Sequence, residues 1–291
     1  YGFAAFCGYV GMQKVIITGA KGMLGQEIVR VFSADPLWNV VAWDMENLDI
    51  TDANKVRALL TAAEPQLVIN CAAYNNVDKA ELEPERAMQL NADAVRNLAE
   101  VTTSIGATLV HFSTDYVFDG TQQTGYMEAA APSPQSAYAR SKLQGEVHAA
   151  QNPKHYVVRL SRLFGKPAAS ANAKQSFVDT MLSLATERPN LEVVDAEYSS
   201  PTYAPDLAQA TYDIIRLQSP FGVYHRTNDG ACTWYAFAQE IFRIAGKTTP
   251  LTPVPPERFP RPAARPAYSQ LLTTKLPPLR SWQAALEEYL M

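Results

Sequence analysis

The stretch VIITGAKGMLGQEIV, from Val15 to Val29, decides the fold because three glycines join an apolar run to an amphipathic one. The β-branched residues at its start are typical of a buried strand, and the apolar residues after Gly22 follow helical spacing. This pattern predicts a strand, a glycine turn and a helix. In such a unit Gly19 permits the tight turn, Gly22 lets a ligand approach the backbone, and Gly25 lets the helix pack on its strand. The free amides at the helix start would then face a pyrophosphate.

The spacing of these glycines, G-x-x-G-x-x-G, differs from the commoner G-x-G-x-x-G, so dinucleotide binding and a purely structural turn both stay open on this motif alone. A dinucleotide site also wants a carboxylate about 20 residues further on for the adenosine ribose. Asp44 follows the apolar run VVAW and lies 19 residues beyond Gly25, although an aspartate there is also a common turn residue. Its charge would repel a 2'-phosphate, which favours NADH over NADPH, and Lys21 would soften that preference.

Length and composition bound the class of protein. A chain of 291 residues with 47% apolar and 19% charged residues fits one large α/β domain with a smaller lobe. The formal net charge of -4 leaves no basic surplus, so we expect no nucleic-acid partner.

The cysteines and the first residues bear on compartment and membrane contact. Cys7, Cys71 and Cys232 lie far apart with no C-x-x-C, so they indicate neither a disulfide framework nor a metal site, and we expect a reducing, cytoplasmic location. The opening YGFAAFCGYVG is apolar, but it lacks a positive leading region and is too short to span a bilayer, so we expect no membrane partner. Because Met12 directly precedes the first strand, we interpret residues 1–11 as an extension outside the fold.

Strand-like and helix-like stretches then alternate along the chain. After the first strand, the expected strands are NVVAW, QLVIN, ATLVHFS and HYVVRL, and the helical stretches between them are ANKVRALLTAAE, PERAMQLNADAVRNLAEVTTSIG and SAYARSKLQGEVHAAQ. The alternation predicts an α/β fold with a Rossmann-type doubly wound parallel sheet over residues 12–160, with ligands at the carboxyl ends of its strands. Residues 161–291 are expected to form mainly a smaller C-terminal substrate-binding lobe, with some segments returning to the Rossmann domain.

Prolines cluster late in the sequence. TPVPPERFPRPAARPAY, from Thr252 to Tyr268, carries too many of them for a helix or a central strand, because proline lacks an amide donor and fixes φ. We expect an ordered loop there, followed by a last helix in LRSWQAALEEYL.

The stretch SAYARSKLQGE places Tyr138 and Lys142 four residues apart, so a helix projects both from one face. A nearby ammonium favours a phenolate, and we expect Lys142 to lower the pKa of Tyr138 from about 10 toward the working pH. Tyr138 would then donate a proton to a carbonyl oxygen as a hydride arrives at its carbon. Ser113 and Thr114 end the fourth strand, where either hydroxyl would hold that carbonyl. Each feature alone also fits a surface pair or a local cap.

With these residues in place, the sequence resembles the extended short-chain dehydrogenase/reductases, and among them the dTDP-4-dehydrorhamnose reductases. The resemblance runs from Met12 nearly to the end and rests on ITGAKGMLGQE, NCAAYNNVDKAE, LNADAVRNLA, FSTDYVFDG, SAYARSKLQGE, SSPTYAPDLA, GVYHRTNDG and FPRPAARPAYS. It implies that Thr114, Tyr138 and Lys142 are catalytic. It also implies cofactor contacts along the glycine turn and after the second and third strands, at Gly19, Gly22, Met23, Leu24, Gly25, Asp44, Asp49, Ile50, Ala73, Tyr74 and Asn75, with Tyr138 and Lys142. For Asp49 the alternative is a helix N-cap in LDITDANK.

The resemblance also implies substrate contacts at Val77, Thr114, Asp115 and Tyr138. The family usually carries a tryptophan shortly after the fifth strand, in an RTSW stretch that contacts the sugar. This chain reads RLSRLFG there, and Arg162 takes that place. A guanidinium can stack or bind an anion but is not an indole, so the identity of the sugar stays open. Arg265, in the proline-rich stretch, would approach the nucleotide diphosphate or stay solvated.

The resemblance implies an NAD(P)H-dependent oxidoreductase that reduces the C4 ketone of a nucleotide-activated 6-deoxy sugar. The expected substrate is dTDP-4-dehydro-L-rhamnose and the expected product dTDP-L-rhamnose, a precursor of cell-surface polysaccharide. Two other functions stay open, a nucleotide-sugar epimerase of the same superfamily and a non-catalytic dinucleotide-binding regulatory subunit. Dehydration is disfavoured, because related dehydratases carry Asp-Glu after the threonine and this chain has Asp115 and Tyr116. We expect a monomer or a homodimer and no metal.

Overall fold

The computed structural model describes residues 12–169 and 175–291, and the expected extension over residues 1–11 lies outside the described residues. The apolar run of the first strand is buried on both sides, because Val15 and Ile17 face one layer of helices and Ile16 faces the other. A strand that is covered on both faces belongs in the middle of a parallel sheet. The β-branched run that opens the glycine motif therefore forms an interior strand, as the sequence pattern predicts.

The main sheet has six parallel strands in the order β2-β1-β3-β4-β5-β9. The strands of the molecule are β1 Gln13–Thr18, β2 Trp38–Trp43, β3 Leu67–Asn70, β4 Thr108–Thr114, β5 His155–Leu160, β6 Leu163–Phe164, β7 Leu191–Val194, β8 Thr202–Tyr203, β9 Gly222–His225 and β10 Leu251–Val254. The helices are α1 Met23–Ser33, α2 Ala53–Ala63, α3 Lys79–Leu82, α4 Pro84–Met88, α5 Ala94–Ser104, α6 Ala137–Ala149, α7 Phe177–Glu187, α8 Ala204–Arg216, α9 Trp234–Ile244 and α10 Trp282–Leu290. The doubly wound parallel sheet predicted from the sequence is confirmed.

Helices cover both faces of this sheet. One face packs against α1 and α8 through buried side chains that include Leu24, Ile28, Phe32, Leu207 and Ile214. The other face packs against α2 and α5 through Val56, Leu60, Val95 and Leu98. Helix α8 and strand β9 come from the C-terminal half of the sequence, yet they complete this three-layer unit.

One predicted helix is interrupted. The stretch from Pro84 to Gly106 contains α4, a π-helical turn over Gln89–Asp93 and then α5. A π turn inserts one extra residue per turn and is often found at functional sites. Here it brings the backbone of Asn91 against α6, where the two chain segments come into close contact.

A second core lies beside the first. It joins α7, α9, α10 and β7, and its buried residues include Phe164, Val178, Phe237, Trp282 and Leu286. Strand β10 pairs in parallel with β7, so the first part of the proline-rich stretch is a strand and the expectation of a loop throughout is wrong there. Pro253 is compatible with this because β10 lies at the edge of a two-stranded sheet.

Within residues 12–169 and 175–291, no helix combines the length and the apolar character that crossing a membrane requires.

Candidate active site

Close packing explains two of the three glycines. Gly19 has φ of 66°, and a Cβ there would lie 2.6 Å from the amide nitrogen of Ala72. A Cβ on Gly25 would lie 2.1 Å from the carbonyl oxygen of Gly19. Because no side chain fits at either place, the turn and the start of α1 pack directly on the ends of β1 and β3.

The start of α1 is open for an anion. Gly22 is the N-cap residue, and neither a side-chain cap nor an acidic residue lies in the first turn. The amides of Met23 and Leu24 belong to the first turn of α1, where backbone amides have no acceptor within the helix. The Leu24 side chain is buried in the core, so only its backbone is available for the predicted cofactor contact. Free amides at a helix N-terminus fit the pyrophosphate of a dinucleotide.

Asp44 lies at the carboxyl end of β2, next to the glycine turn. Its Oδ2 accepts from the backbone amide of Lys21 at 2.8 Å, and its Oδ1 accepts from the amide of Met45 at 2.9 Å. The Lys21 ammonium pairs with Glu46, and that hydrogen bond raises the pKa of Lys21. An open groove of about 430 Å³ adjoins this carboxylate and is lined by Ala20, Lys21, Gln26, Glu27, Val29, Arg30, Ala42, Asp44, Asn47 and Lys166.

Asp49 and Ile50 follow β2. Asp49 accepts from the amide and the hydroxyl of Thr51 at 2.9 and 2.7 Å, and the N-cap of α2 is Asp52, which accepts from the amide of Lys55. The N-cap alternative for Asp49 is therefore wrong. The Ile50 side chain is buried in the core, so only its backbone is available for the predicted contact with an adenine.

Asn91, which sequence reasoning did not single out, fixes the loop after β3. Its Oδ1 accepts from the amide of Tyr74 at 2.8 Å, and its Nδ2 donates to the carbonyl of Tyr74 and to Ser141 Oγ, both at 3.0 Å. One buried amide thereby connects the expected cofactor loop over Ala73, Tyr74 and Asn75 to the helix that carries Tyr138. Its presence in the quoted motif LNADAVRNLA was the only signal in the sequence.

Thr114 and Tyr138 meet at the carboxyl edge of the sheet. Thr114 ends β4, and Tyr138 lies in the first turn of α6, whose N-cap is Ser136. Both side chains are buried. Burial raises the pKa of the Tyr138 phenol above its ordinary value, and a hydrogen bond with Thr114 opposes this. The expected lowering by Lys142 is not found in this structure, because desolvation dominates. Ser113 points away from Thr114 by strand alternation and is also buried.

Lys142 lies one helical turn beyond Tyr138 and is almost completely buried. Its Nζ donates to the carbonyl oxygen of Phe112 at 2.5 Å. Burial lowers the pKa of Lys142 to about 8, while the charge of Glu146 acts in the opposite direction. The ammonium is thus held at the edge of β4, on the helix that carries the phenol.

Asp115 and Val77 border the same region. The Asp115 carboxylate accepts from Ser269 Oγ at 2.6 Å and from Thr114 Oγ1 at 3.1 Å. Burial raises its pKa to about 6. Val77 packs with Tyr116 against the cluster that contains Tyr138. Asp115 therefore links this edge of the sheet, through a single hydroxyl, to Ser269, which directly follows the proline-rich stretch.

Arg162 is held by the second core. Its Nη1 donates to the carbonyl of Cys232 at 2.8 Å, its Nη2 donates to the carbonyl of Glu197, and its guanidinium lies 3.9 Å from the ring centroid of Trp234. Arg162 and Glu197 both have positive φ, 42° and 64°, which is unusual outside glycine. Glu197 is another residue that sequence reasoning missed, and its carboxylate accepts from Trp234 Nε1 and pairs with Arg261.

The Arg265 side chain is largely buried and is paired with a carboxylate, so the solvated alternative is wrong. Its Nη1 and Nη2 donate to the two carboxylate oxygens of Asp78 at 2.9 and 2.7 Å, and Nη1 also donates to the carbonyl of Ala263. The pKa of Arg265 is raised, with burial opposing the hydrogen bond to Asp78. A diphosphate that reaches this arginine would meet a guanidinium that already has a carboxylate partner.

The structure thus brings the glycine turn, Asp44, the loop after β3 and the Thr114, Tyr138 and Lys142 set to one edge of the sheet. Burial lowers the pKa of Arg162, and the nearby Asp115 and Tyr116 oppose this, so Arg162 lies close to the turn after β4. Among residues 12–169 and 175–291, no group of histidine, cysteine and acidic side chains is arranged to hold a metal ion.

This fold, with a glycine-turn dinucleotide site and a tyrosine and lysine one helical turn apart, defines an extended short-chain dehydrogenase/reductase. The sequence profile described as the RmlD substrate binding domain matches residues 12–291. The chain belongs to this family.

Relatives cover nearly the whole chain. A Streptomyces antibioticus protein named probable dTDP-4,6-dihydroxy-2-methyloxan-3-one 4-ketoreductase is 40% identical, over 94% of this chain and 93% of that protein. A solved dTDP-4-dehydrorhamnose reductase of Clostridium acetobutylicum gives a TM-score of 0.90 at 40% identity, covering 95% of this chain and 98% of the other. Another, from Bacillus anthracis in complex with NADP, gives a TM-score of 0.90 at 36% identity, with coverage of 95% and 98%.

Proposed function

We propose that this chain is an NAD(P)H-dependent reductase of the C4 ketone of a nucleotide-activated 6-deoxy sugar. dTDP-4-dehydro-L-rhamnose is the proposed substrate and dTDP-L-rhamnose the product. The observation that carries the proposal is the convergence of Thr114, Tyr138 and Lys142 at the sheet edge that also holds the glycine turn. Relatives named as reductases of dTDP-4-keto sugars support it.

The residues present fit a nicotinamide dinucleotide. The uncapped start of α1 suits the pyrophosphate and the Asp44 carboxylate suits the adenosine ribose. The solved relative with NADP supports the same class of cofactor. When bound, the dinucleotide supplies the hydride that reduces the ketone.

The side chains of the site orient the sugar carbonyl, donate the proton and hold the cofactor. The Thr114 hydroxyl, which donates to Asp115 in the structure, would turn to donate to the sugar carbonyl and orient it toward Tyr138. Tyr138 is kept protonated by burial, so it is ready to give its proton to the oxygen that becomes the C4 hydroxyl. Lys142 holds the nicotinamide ribose and places a positive charge near the phenol, which favours loss of that proton. Arg162 borders the sugar from the opposite side.

Preference between the two cofactors depends on opposing charges. Asp44 faces the position of the adenosine ribose and disfavours a 2'-phosphate, which supports the predicted preference for NADH. Lys21 opposes it, because its ammonium could exchange Glu46 for the phosphate. The complex of the relative with NADP indicates that the fold admits the phosphate, so we propose that both cofactors are used and that Asp44 favours NADH.

Epimerisation and non-catalytic binding are the competing functions. Both would retain the glycine turn and Asp44, but a regulatory subunit has no need of a buried tyrosine and lysine at the sheet edge. The free thiols of Cys71 and Cys232 agree with the proposed cytoplasmic location. A monomer or a homodimer remains the proposed state.

The test is a substrate panel. Purified protein is incubated with NADH or NADPH and with dTDP-4-keto-6-deoxy-L-mannose, its D-xylo diastereomer of opposite configuration at C3 and C5, or a UDP-4-keto-6-deoxy sugar. Nicotinamide absorbance and product sugar are followed. We expect turnover to be fastest with dTDP-4-keto-6-deoxy-L-mannose. Cofactor binding without oxidation of NADH on any of the sugars would overturn the proposed reductase and favour the regulatory subunit.

A further inference from the structure

A buried ion pair lies one helical turn beyond Lys142. The Glu146 carboxylate accepts from Arg159 Nε at 2.8 Å and from Arg159 Nη2 at 2.7 Å. Their side chains are only 7% and 4% exposed, respectively. Desolvating two charges costs so much that a buried pair contributes little net stability over an apolar pair of similar shape. Stability alone therefore does not explain why this ion pair is buried here.

Neighbouring groups fix the orientation of Arg159. Its Nη1 lies 3.3 Å from His225 Nε2, and His225 Nδ1 lies 3.1 Å from the carbonyl oxygen of Leu272. Burial lowers the pKa of His225 to about 4, so the ring is neutral. The carbonyl of Leu272 then takes the proton on Nδ1, and Nε2 is left to accept from Arg159. The guanidinium also lies 5.1 Å from the ring centroid of Phe118.

We propose that Glu146, oriented by Arg159, is a positioning residue that keeps the buried Lys142 ammonium charged and directed at the edge of β4. This inference rests on the proposed role of Lys142 in holding the nicotinamide ribose. Glu146 and Lys142 lie four residues apart on α6, and both are packed inside the protein, where one negative charge acts on another group with little screening. This role does not require Glu146 to contact the cofactor.

The surroundings of Lys142 leave it dependent on Glu146. The buried charged and histidine side chains on α6, on strands β4, β5 and β9, and in the turn after β4 are, besides Lys142, Glu146, His111, Arg159, His225 and Asp115, and the buried tyrosines there are Tyr138, Tyr156 and Tyr224. Helices α3, α4 and α5 and the π turn also pack against α6, and their charged side chains are exposed or partly exposed. His111 is neutral, because burial and the charge of Lys142 lower its pKa well below the ordinary value. Asp115 is the other carboxylate in that set, and it is engaged by Ser269 and Thr114.

Lys142 is also the group whose charge changes near pH 8. Burial lowers its pKa to about 8, and Glu146 counteracts that effect. The pKa of Asp115 is raised only to about 6, and that of His225 is lowered to about 4, so both have already titrated. Burial moves the pKa of Tyr138 in the opposite direction, upward. A change in cofactor binding between pH 7 and pH 9 therefore reports on Lys142.

The experiment measures the Kd of NADH by fluorescence from pH 6.5 to 9.5, with no sugar present. In the unmodified protein we expect affinity to fall as the pH rises through about 8, and Lys142→Met should abolish that dependence. Glu146→Gln removes the anion, and the midpoint should move down by about one pH unit. Arg159→Gln removes a cation, and the midpoint should move up. Glu100→Gln, at an exposed position of α5, should leave the midpoint in place.

The two variants should move the midpoint of the pH dependence in opposite directions, and this distinguishes a positioning role from a structural one. A merely structural ion pair would lower the melting temperature in both variants and leave the midpoint where it was. The proposal is overturned by an unchanged midpoint in Glu146→Gln, by shifts of the same sign in both variants, or by a pH-independent Kd in the unmodified protein. If Glu146→Gln does not fold, Glu146→Asp must retain the original midpoint and Arg159→Gln must still raise it. Because the assay contains no sugar, failure to reduce dTDP-4-keto sugars leaves this test unaffected.

Discussion

Arg162 shows how one side chain can depart from its family and still be built into the fold. Its guanidinium lies on Trp234 and donates to the carbonyls of Glu197 and Cys232, which are 35 and 70 residues away in the sequence. An indole at this position could not make those two hydrogen bonds. Arg162 therefore joins three chain segments, and we propose that they form a wall that borders the sugar.

Arg162→Ala should weaken both the wall and sugar binding. Two carbonyls lose their donor, so we expect a loss of about 1–3 kcal/mol in the free energy of unfolding and a several-fold rise in KM for the dTDP sugar. The Kd of NADH should not change, because the glycine turn lies at the other end of the site. Steady-state kinetics and urea unfolding of Arg162→Ala and Arg162→Trp measure this. An unchanged KM in both variants would mean that Arg162 has no part in the sugar pocket.

We expect the Asp44 carboxylate to determine the preference between NADH and NADPH. Because we propose that its carboxylate meets the adenosine ribose and would repel a 2'-phosphate, kcat/KM should be higher with NADH than with NADPH, and Asp44→Ala should reduce that ratio. Lys21→Ala should increase it, since an ammonium that could pair with the phosphate is removed. Equal kcat/KM for the two cofactors in the unmodified protein would contradict the role of Asp44.

Asp115 makes stability depend on pH. Burial raises its pKa to about 6 in the folded chain, against 3.8 ordinarily, so the folded protein keeps a proton that the unfolded chain has released. Its contribution to stability is therefore lost as the pH rises through this window. Asp115→Asn should raise the free energy of unfolding by about 2 kcal/mol at pH 8, with a smaller gain at pH 5. A variant that is less stable than the original at pH 8 would refute this, as urea titrations at both values can show.

Elements with a strong local pattern were predictable, and those set by distant contacts were not. The predicted strand HYVVRL has the same first and last residues as β5, because a β-branched apolar run is a strong local signal for a strand. The π turn over Gln89–Asp93 was hidden inside a continuous helical pattern, since a single inserted residue barely disturbs the spacing. Strand β10 was not predicted because it contains Pro253. A proline is tolerated there only because β10 lies at the edge of its sheet. Glu197 was missed because nothing near it in the sequence signals Arg162 or Arg261.

The contact between α6 and the π turn provides a test at the scale of elements. A Cβ on Gly145 would lie 2.2 Å from the carbonyl oxygen of Asn91, so Gly145→Ala must push the two segments apart. Because Asn91 also holds Tyr74 and Ser141, we expect kcat to fall at least tenfold and the Kd of NADH to rise.

Val147→Ala is the matched control, because Val147 lies on the exposed side of the same helix. It should leave kcat and the Kd of NADH within twofold of the original. Full activity of Gly145→Ala, measured together with its melting temperature, would show that the close approach does not position the site.

At the scale of the whole molecule, the proline-rich segment connects both cores across the site. Arg265 connects it to Asp78 after β3, and Ser269, which directly follows the segment, donates to Asp115 after β4. Arg261 ties it to Glu197 on the other side. One segment is therefore connected to both sides of the proposed site. The sequence predicted that this segment is neither helix nor central strand and that Arg265 approaches a diphosphate or stays solvated, but it gave no sign of the partners Asp78 and Glu197.

Transfer of deuterium from the reduced cofactor to the sugar tests the central claim most directly. Protein is supplied with NADH deuterated at the transferable position of C4 and with dTDP-4-keto-6-deoxy-L-mannose, and the product is analysed by mass spectrometry and NMR. We predict dTDP-L-rhamnose with deuterium at C4 of the sugar and one NADH consumed per product, with the rate reduced by about 10²–10⁴-fold in Tyr138→Phe, whose Kd for NADH is unchanged. Product without deuterium and without net loss of NADH, or Tyr138→Phe retaining more than half of the original rate, would contradict the account.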